Sequence, residues 1–467
     1  MTRLCLPALA ALLLAGCTTV GPDYHLPETA AANAPAAQAP FREAAQGTSA
    51  DPLPPRWWHL YDDAVLDDLE QQALAANTDL RIAGANLARA QAALAGAQSA
   101  RTPAFAVSAE AERARLSGES FLLTQPIPVA TLGEINAGVS YQLDLFGQIR
   151  RQVEAARADA AASRATVGAV KVTLAAEVAR AYLNQCAAGE ALALGQQAVQ
   201  ADRHERDIAL RLQAAGRGSQ GDVTRAQARL AQIEAMVPVQ RARSRTALYR
   251  LAYLLGRAPA DYPRAAERCV ALPAIAHPLP VGDGAALIAR RPDVHVAERT
   301  LAAATARIGV ATAALYPHVG IGLSGGSFGF LKDMGTAPAN MWSLGGLIEW
   351  SIPTGGARAR VRAANAETDA ALARFDATVL GALRDTESAL ATYAEDHNRA
   401  VALAQALAAA EREGGETRAL REAGRSTLLA QVGATQTTLA ARLAETGARE
   451  AVAMDQVNLF LALGGGW

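Results

Sequence analysis

The chain has 467 residues with 44 basic side chains against 45 acidic, so its formal net charge of −1 gives no global field for nucleic acid. Lys171 and Lys332 are its only lysines, and neither stands in GxxxxGK[ST], which excludes a phosphate-cradling P-loop. Alanine is abundant and aromatics make up 5%, a composition suited to long, closely packed helices.

The N-terminus reads as an address. Arg3 precedes an apolar stretch, Leu4 to Leu14, that is too short to span a membrane. It ends in Leu14-Ala15-Gly16-Cys17, a lipobox in which cleavage exposes a cysteine for diacylglycerol. Residues 1–17 are therefore expected to be a lipoprotein signal peptide, with covalent lipid on Cys17 anchoring the mature chain. Thr18 replaces the aspartate that would suggest inner-membrane retention, and this similarity to bacterial lipoproteins implies the outer membrane. The Ala- and Pro-rich stretch that follows reads as an extended tether, within an N-terminal segment of 18–63.

A large internal repeat organises the rest. Leu80 to Pro103 matches Val294 to Pro317, Gly147 to Ala156 matches Gly355 to Ala364, and Ala215-Gly216-Arg217 matches Ala423-Gly424-Arg425. The expected copies are residues 64–270 and 271–467. In each, a helix ends at Pro103 or Pro317, two strands follow, and a very long helix comes next. Ile135, Ala137, Val139, Tyr141, Leu143 and Leu145 alternate with polar residues or glycine, as do residues from Phe105, from Val319, and from Trp342 to Ile352. Apart from the N-terminus no stretch is apolar enough to span as a helix, so a membrane-crossing part must be a β-barrel. Four strands cannot close one: two copies of the chain would give eight strands and a filled interior, three would give twelve and a channel. The trimer fits better.

Gln148 to Ala214, read as one helix, reaches roughly 100 Å at ~1.5 Å per residue. Narrow apolar stripes (Val167, Val170, Leu174, Val178 and Leu372, Phe375, Val379, Leu383) suit coiled-coil-like packing. The helices turn at Gly216-Arg217-Gly218 and Gly424-Arg425-Ser426, each a C-cap glycine before a fresh start. Pro238 is expected to interrupt and kink the returning helix of the first copy. Cys186 and Cys269 remain once Cys5 leaves with the signal and Cys17 carries lipid; they are either a disulfide or two buried thiols.

Catalytic and cofactor motifs fail on context. Gly320 to Gly325 and Gly216 to Gly221 fit GxGxxG, and Gly322 to Gly326 fits GxSxG, but none lies in the required strand–turn–helix setting. The seven histidines show no metal spacing. No enzyme and no cofactor beyond the lipid are expected.

Cys17-Thr18-Thr19-Val20-Gly21-Pro22-Asp23-Tyr24, Trp57-Trp58 with Leu66, Leu69 and Asn77, Leu143-Asp144-Leu145-Phe146-Gly147, and Arg291-Pro292-Asp293 with Ala297-Glu298 together resemble the TolC/OprM-type outer-membrane efflux factors, lipoprotein branch. The resemblance implies a mainly α, internally duplicated homotrimer in the outer-membrane lipid: a twelve-stranded β-barrel, four strands per chain, continuous with a long α-helical barrel. It implies a passive exit duct for drugs or other toxic small molecules. The partners would be a periplasmic membrane-fusion adaptor, docked at tips around Gly216, Arg217, Gly424 and Arg425, and an inner-membrane pump of the resistance-nodulation-division class. The same fold serves type I protein secretion, the second reading. A structural periplasmic coiled-coil lipoprotein is the third. The family's last tip helix usually carries acids at the entrance, whereas this chain has Ala430 and Gly433. Closure is then expected to fall to Leu428, Leu429 and Val432 with Arg217 or Arg425. Asp222 is read either as a pore acid or as a solvated charge at a helix N-terminus.

Overall fold

A computed structural model describes residues 19–44, 47–115, 117–122 and 124–465. Two compact units emerge: one holds residues up to 27, 86–163 and 296–375, the other 28–85, 164–295 and 376 onward. Each draws on both halves of the sequence. In chain order come helices α1 (Ala64–Ala76) and α2 (Thr78–Ser99), strands β1 (Ala104–Ala114) and β2 (Ala130–Leu143), and helices α3 (Gln148–Ala214) and α4 (Gln220–Leu254). Helix α5 (Pro292–Ala313), strands β3 (His318–Phe330) and β4 (Asn340–Glu349), and helices α6 (Gly355–Glu422) and α7 (Leu428–Ala462) follow. The order recurs with nearly equal lengths: α2 and α5 have 22 residues each, α3 and α6 have 67 and 68, α4 and α7 have 35 each.

The first unit is built on an antiparallel sheet in the order β1-β2-β3-β4. Register puts like with like: Phe105 lies opposite Val139, Val139 opposite Leu323, and Leu323 opposite Leu344, making one apolar row across four strands. The neighbouring rows place Ala106, Gly138, Ser324 and Ser343 together on the opposite face, and Ser108 with Asn136. A strand's period of two thus separates an apolar face from a polar one. The alternation starts at Ile135 in the sequence, but β2 begins at Ala130, because Gly133 breaks the pattern without breaking the ladder. It ends at Leu143, where the Asp144 carboxylate accepts from the Ile149 and Arg150 amides at 2.9 and 2.8 Å and starts α3. Strand β4 stops at Glu349; Trp350 instead donates its indole N–H to the Leu315 carbonyl at 3.1 Å.

Residues 19–27 pack within this unit. The Val20 amide donates to Phe146 O at 3.1 Å, and the Arg151 guanidinium donates to the Val20 and Gly21 carbonyls. Tyr24 packs with Leu26 on Leu301 and Ala304, its hydroxyl donating to Glu298 at 3.4 Å. Burial, then the Glu298 charge, pushes the Tyr24 pKa up to about 12.

In the second unit the Ala-rich stretch packs instead of hanging as a tether: Ala30, Ala37, Phe41 and Leu53 are buried, and residues 48–49 pair in parallel with 279–280. Small side chains allow that close approach; Gly284 meets the Ala37 backbone, leaving no room for a Cβ. Trp57 is fully buried against Phe460, ring centroids 4.7 Å apart. Arg290 and Arg291 donate to the Leu463 and Ala462 carbonyls at the end of α7, satisfying acceptors a helix leaves open. Asn77, buried, does the same for Leu254 at 2.9 Å while its own side-chain oxygen caps α2. Glu70 is fully buried, and burial followed by the Asp67 charge raises its pKa well above the usual carboxylate range. Helix α4 continues through Pro238, correcting the expected interruption: a proline removes one backbone donor, and the turns on either side persist. Cys186, at the buried face of α3, is joined to Cys269 by a disulfide.

Candidate functional site

Two surfaces carry the functional expectations, the sheet in the first unit and the helix tips in the second. On the sheet, the apolar face is exposed: Phe105 is 69% accessible, Trp342 80% and Leu344 73%. A soluble protein would bury such a face. The polar face lines a hollow of about 660 Å³ with Ser108, Asn136, Gln142, Ser324 and Ser343, where the Ser324 and Ser343 hydroxyls lie 2.8 Å apart. Among the described residues β1 and β4 each pair on one side only. They point in opposite directions, so β4 of one copy set beside β1 of another would pair antiparallel.

The strands have 11, 14, 13 and 10 residues, enough to cross a hydrocarbon core at the usual tilt. No described helix is long and apolar enough to do so.

Each tip has the same backbone. At the end of α3 the Gly216 amide donates to Gln213 O and the Arg217 amide to Leu212 O; at the end of α6 Gly424 donates to Arg421 O and Arg425 to Leu420 O. These are paired Schellman bonds, and they need the left-handed backbone seen at Gly216 (φ 71°) and Gly424 (φ 73°). Gly256 and Gly464 close α4 and α7 with the same bonds, a signal the sequence reading missed although each is a glycine just past an apolar run. Arg217 and Arg425 are exposed.

Both next helices start with a hydroxyl cap. Ser219 accepts from the Asp222 amide, and Asp222 reciprocates to the Ser219 amide at 3.0 Å and hydroxyl at 2.7 Å, with Arg225 on its other oxygen at 2.5 Å. Those bonds, the Ser219 hydroxyl first, hold the Asp222 pKa down to about 2. The geometry gives Asp222 a capping role, with both carboxylate oxygens engaged. In the second tip Thr427 caps the Ala430 amide, and the position matching Asp222 is Ala430 itself. Leu428 opens α7, Leu429 beside it is 72% exposed, and Val432 lies one turn on, half-buried. Arg421 ties this tip by donating to Gln431.

A groove of about 580 Å³ between α3, α4, α6 and α7 also went unseen in the sequence, because its lining residues are far apart in the chain. Asp202, Arg229, Glu411 and Arg442 line it, held by Arg229–Asp202 and Arg442–Glu411 ion pairs. Among the described residues no cluster of His, Cys, Asp and Glu could hold a metal. Cys17 lies outside the described residues.

The family model described as outer membrane efflux protein matches residues 69–257 and 285–465. Outer membrane protein OprJ of Pseudomonas aeruginosa is 30% identical over 489 aligned positions, covering 98% of this chain and 95% of that protein. Nodulation protein T of Rhizobium leguminosarum bv. viciae is 28% identical, covering 98% of this chain and 93% of its own length. The solved structure of the outer-membrane channel OprN aligns with a TM-score of 0.87 at 33% identity, over 96% of this chain and 100% of that one. The two-faced sheet, the paired long helices and these similarities agree: the chain belongs to the outer membrane efflux protein family.

Proposed function

We propose that three copies of this chain form the outer-membrane exit duct of a tripartite efflux pump, conducting drugs or other toxic small molecules passively outward. One observation carries this reading: a four-stranded sheet with an exposed apolar face, a polar face, and two edge strands that, among the described residues, pair on one side only. An open edge in hydrocarbon leaves several backbone groups unbonded at several kcal/mol each, so the sheet must close. Three copies supply twelve strands, with the apolar rows toward lipid and the Ser-, Asn- and Gly-lined hollow toward water. The recurrence of element order supports a duplicated domain, so the helices of three chains make a pseudo-sixfold tube.

Lipid on Cys17 would fasten the N-terminus to the membrane. The tips at Gly216, Arg217, Gly424 and Arg425 and the nearby groove supply the surface for a periplasmic membrane-fusion adaptor, which links the duct to an inner-membrane pump of the resistance-nodulation-division class. Energy enters at the pump, since nothing in a duct couples to a fuel. Closure at the periplasmic end rests on Leu428, Leu429 and Val432 drawn to the axis, with Arg425 and Arg217 as polar links; apolar constrictions gate by dewetting.

The test is conductance. Purified chain added to planar bilayers is expected to give stepwise ionic currents and to run as a heat-modifiable trimer. A bilayer that stays silent, with the chain monomeric before heating, would leave a structural lipoprotein as the better reading.

A further inference from the structure

At the helix end of the sheet, four arginines gather around a polar cavity of about 380 Å³: Arg101 just before β1, and Arg150, Arg151 and Arg157 in the first three turns of α3. Asp23 and Glu154 are the acids in its wall, and both are taken by Arg151, at 2.9 and 2.7 Å. Arg151 is 4% exposed in its side chain and serves as the inner strut, bonding also to the Val20 and Gly21 carbonyls. The other three are exposed. Among the described residues Arg101 and Arg157 make no ion pair, and Arg150 makes one long bond, 3.4 Å, to the Thr19 hydroxyl. Three guanidinium groups with no ion-pair partner therefore face one cavity whose wall, four arginines against two acids, is net positive, beside the amino-terminal end of a 67-residue helix.

The place of the cavity names its occupant. Trp350 stands at the same end of the sheet, as do Phe146 and Tyr316, stacked with centroids 4.5 Å apart, and such rings mark the level where hydrocarbon meets headgroups. Thr19 lines the cavity, and Cys17, the lipid attachment point proposed above, precedes it by two residues in the sequence. On the channel reading above, this end faces the periplasm, so the lipid at this level is the phospholipid of the inner leaflet. Guanidinium forks bind phosphate oxygens bidentately, and several together favour an anionic headgroup over a zwitterionic one. We propose that Arg101, Arg150 and Arg157 form a binding site for the phosphate headgroup of an anionic phospholipid, fixing the depth of the channel and of its anchored N-terminus in the membrane.

The inference rests on the channel reading, and one preparation separates the two. The full-length lipidated protein, delipidated in detergent, is titrated with phosphatidylglycerol and with phosphatidylcholine of the same acyl chains, and bound lipid is counted by native mass spectrometry. The wild type is expected to prefer phosphatidylglycerol by on the order of tenfold. Arg101→Gln with Arg150→Gln and Arg157→Gln is expected to abolish that preference. The remote triple Arg384→Gln, Arg399→Gln and Arg412→Gln, equal in charge change, is expected to keep it. Should the first triple fail to fold, Arg157→Gln alone is expected to lower the preference several-fold. Equal retention of both lipids, a preference untouched by the cavity variants, or full displacement of phosphatidylglycerol by millimolar inorganic phosphate would overturn the lipid site. Loss of trimer mass and of conductance in the wild type would strike the channel reading itself.

Discussion

The two helix tips have one backbone and two chemistries. Both end on a left-handed glycine with paired Schellman bonds, and both restart under a hydroxyl cap. In the first tip the cap is reciprocal: Ser219 and Asp222 each bond the other's backbone, and Arg225 pins the carboxylate. In the second, Thr427 caps alone, Ala430 and Gly433 leave no acid, and Leu429 stands exposed. The first copy is also stapled by Cys186–Cys269, for which the sequence of the second has no counterpart. On the gate proposed above, the stapled and reciprocally capped copy is the fixed element and the singly capped, apolar one the element that shifts.

The largest expected effect breaks the staple. Cys186→Ser with Cys269→Ser removes a constraint across 83 residues and should cost about 2–4 kcal/mol, read as a lower unfolding midpoint in denaturant. Equal labelling of both thiols in the unreduced, unfolded wild type would show that no staple exists. Next comes the apolar tip. Leu428→Ser with Leu429→Ser should raise single-channel open probability on the order of tenfold, whereas Asp222→Asn should leave it unchanged, and divalent cations should affect conductance only weakly in either background. Block by micromolar divalent cations, lost on Asp222→Asn, would reverse these assignments.

The caps follow. Ser219→Ala should destabilise its tip by about 1 kcal/mol, and Thr427→Ala by less, because only the first also releases a reciprocal carboxylate bond. Hydrogen exchange of residues 219–226 against 427–434 ranks them. The smallest effect is on pH. The folded Asp222 pKa, about 2, lies below the usual unfolded value near 4, so its stabilisation is present above about pH 4 and is lost as pH falls toward 2. The first tip should therefore fray on acidification through that window, and Asp222→Asn should remove the dependence; the second tip, with Ala430, should show none.

Much of this was legible in the sequence. Period-two alternation marked all four strands, and glycine followed by arginine marked both tips, because each signal is local. Asp222 was ambiguous for a physical reason: Ser-x-x-Asp is equally a capping box or a helix start carrying a spare charge, and only geometry decides. The N-terminal stretch read as a tether because alanine and proline announce no partner, yet Ala30, Ala37 and Leu53 are buried by residues far along the chain. Arg101 and Arg157 share a cavity through folding, 56 positions apart, and no spacing rule finds such a pair.

Closure of the sheet by other copies underlies the rest, since a barrel, a lumen and a gate on an axis all require it. Native mass spectrometry of the detergent-solubilised chain measures that most directly. The account predicts one dominant species at three times the mass of the lipidated chain; a stable monomer or dimer, with no trimer at any protein concentration, would contradict it.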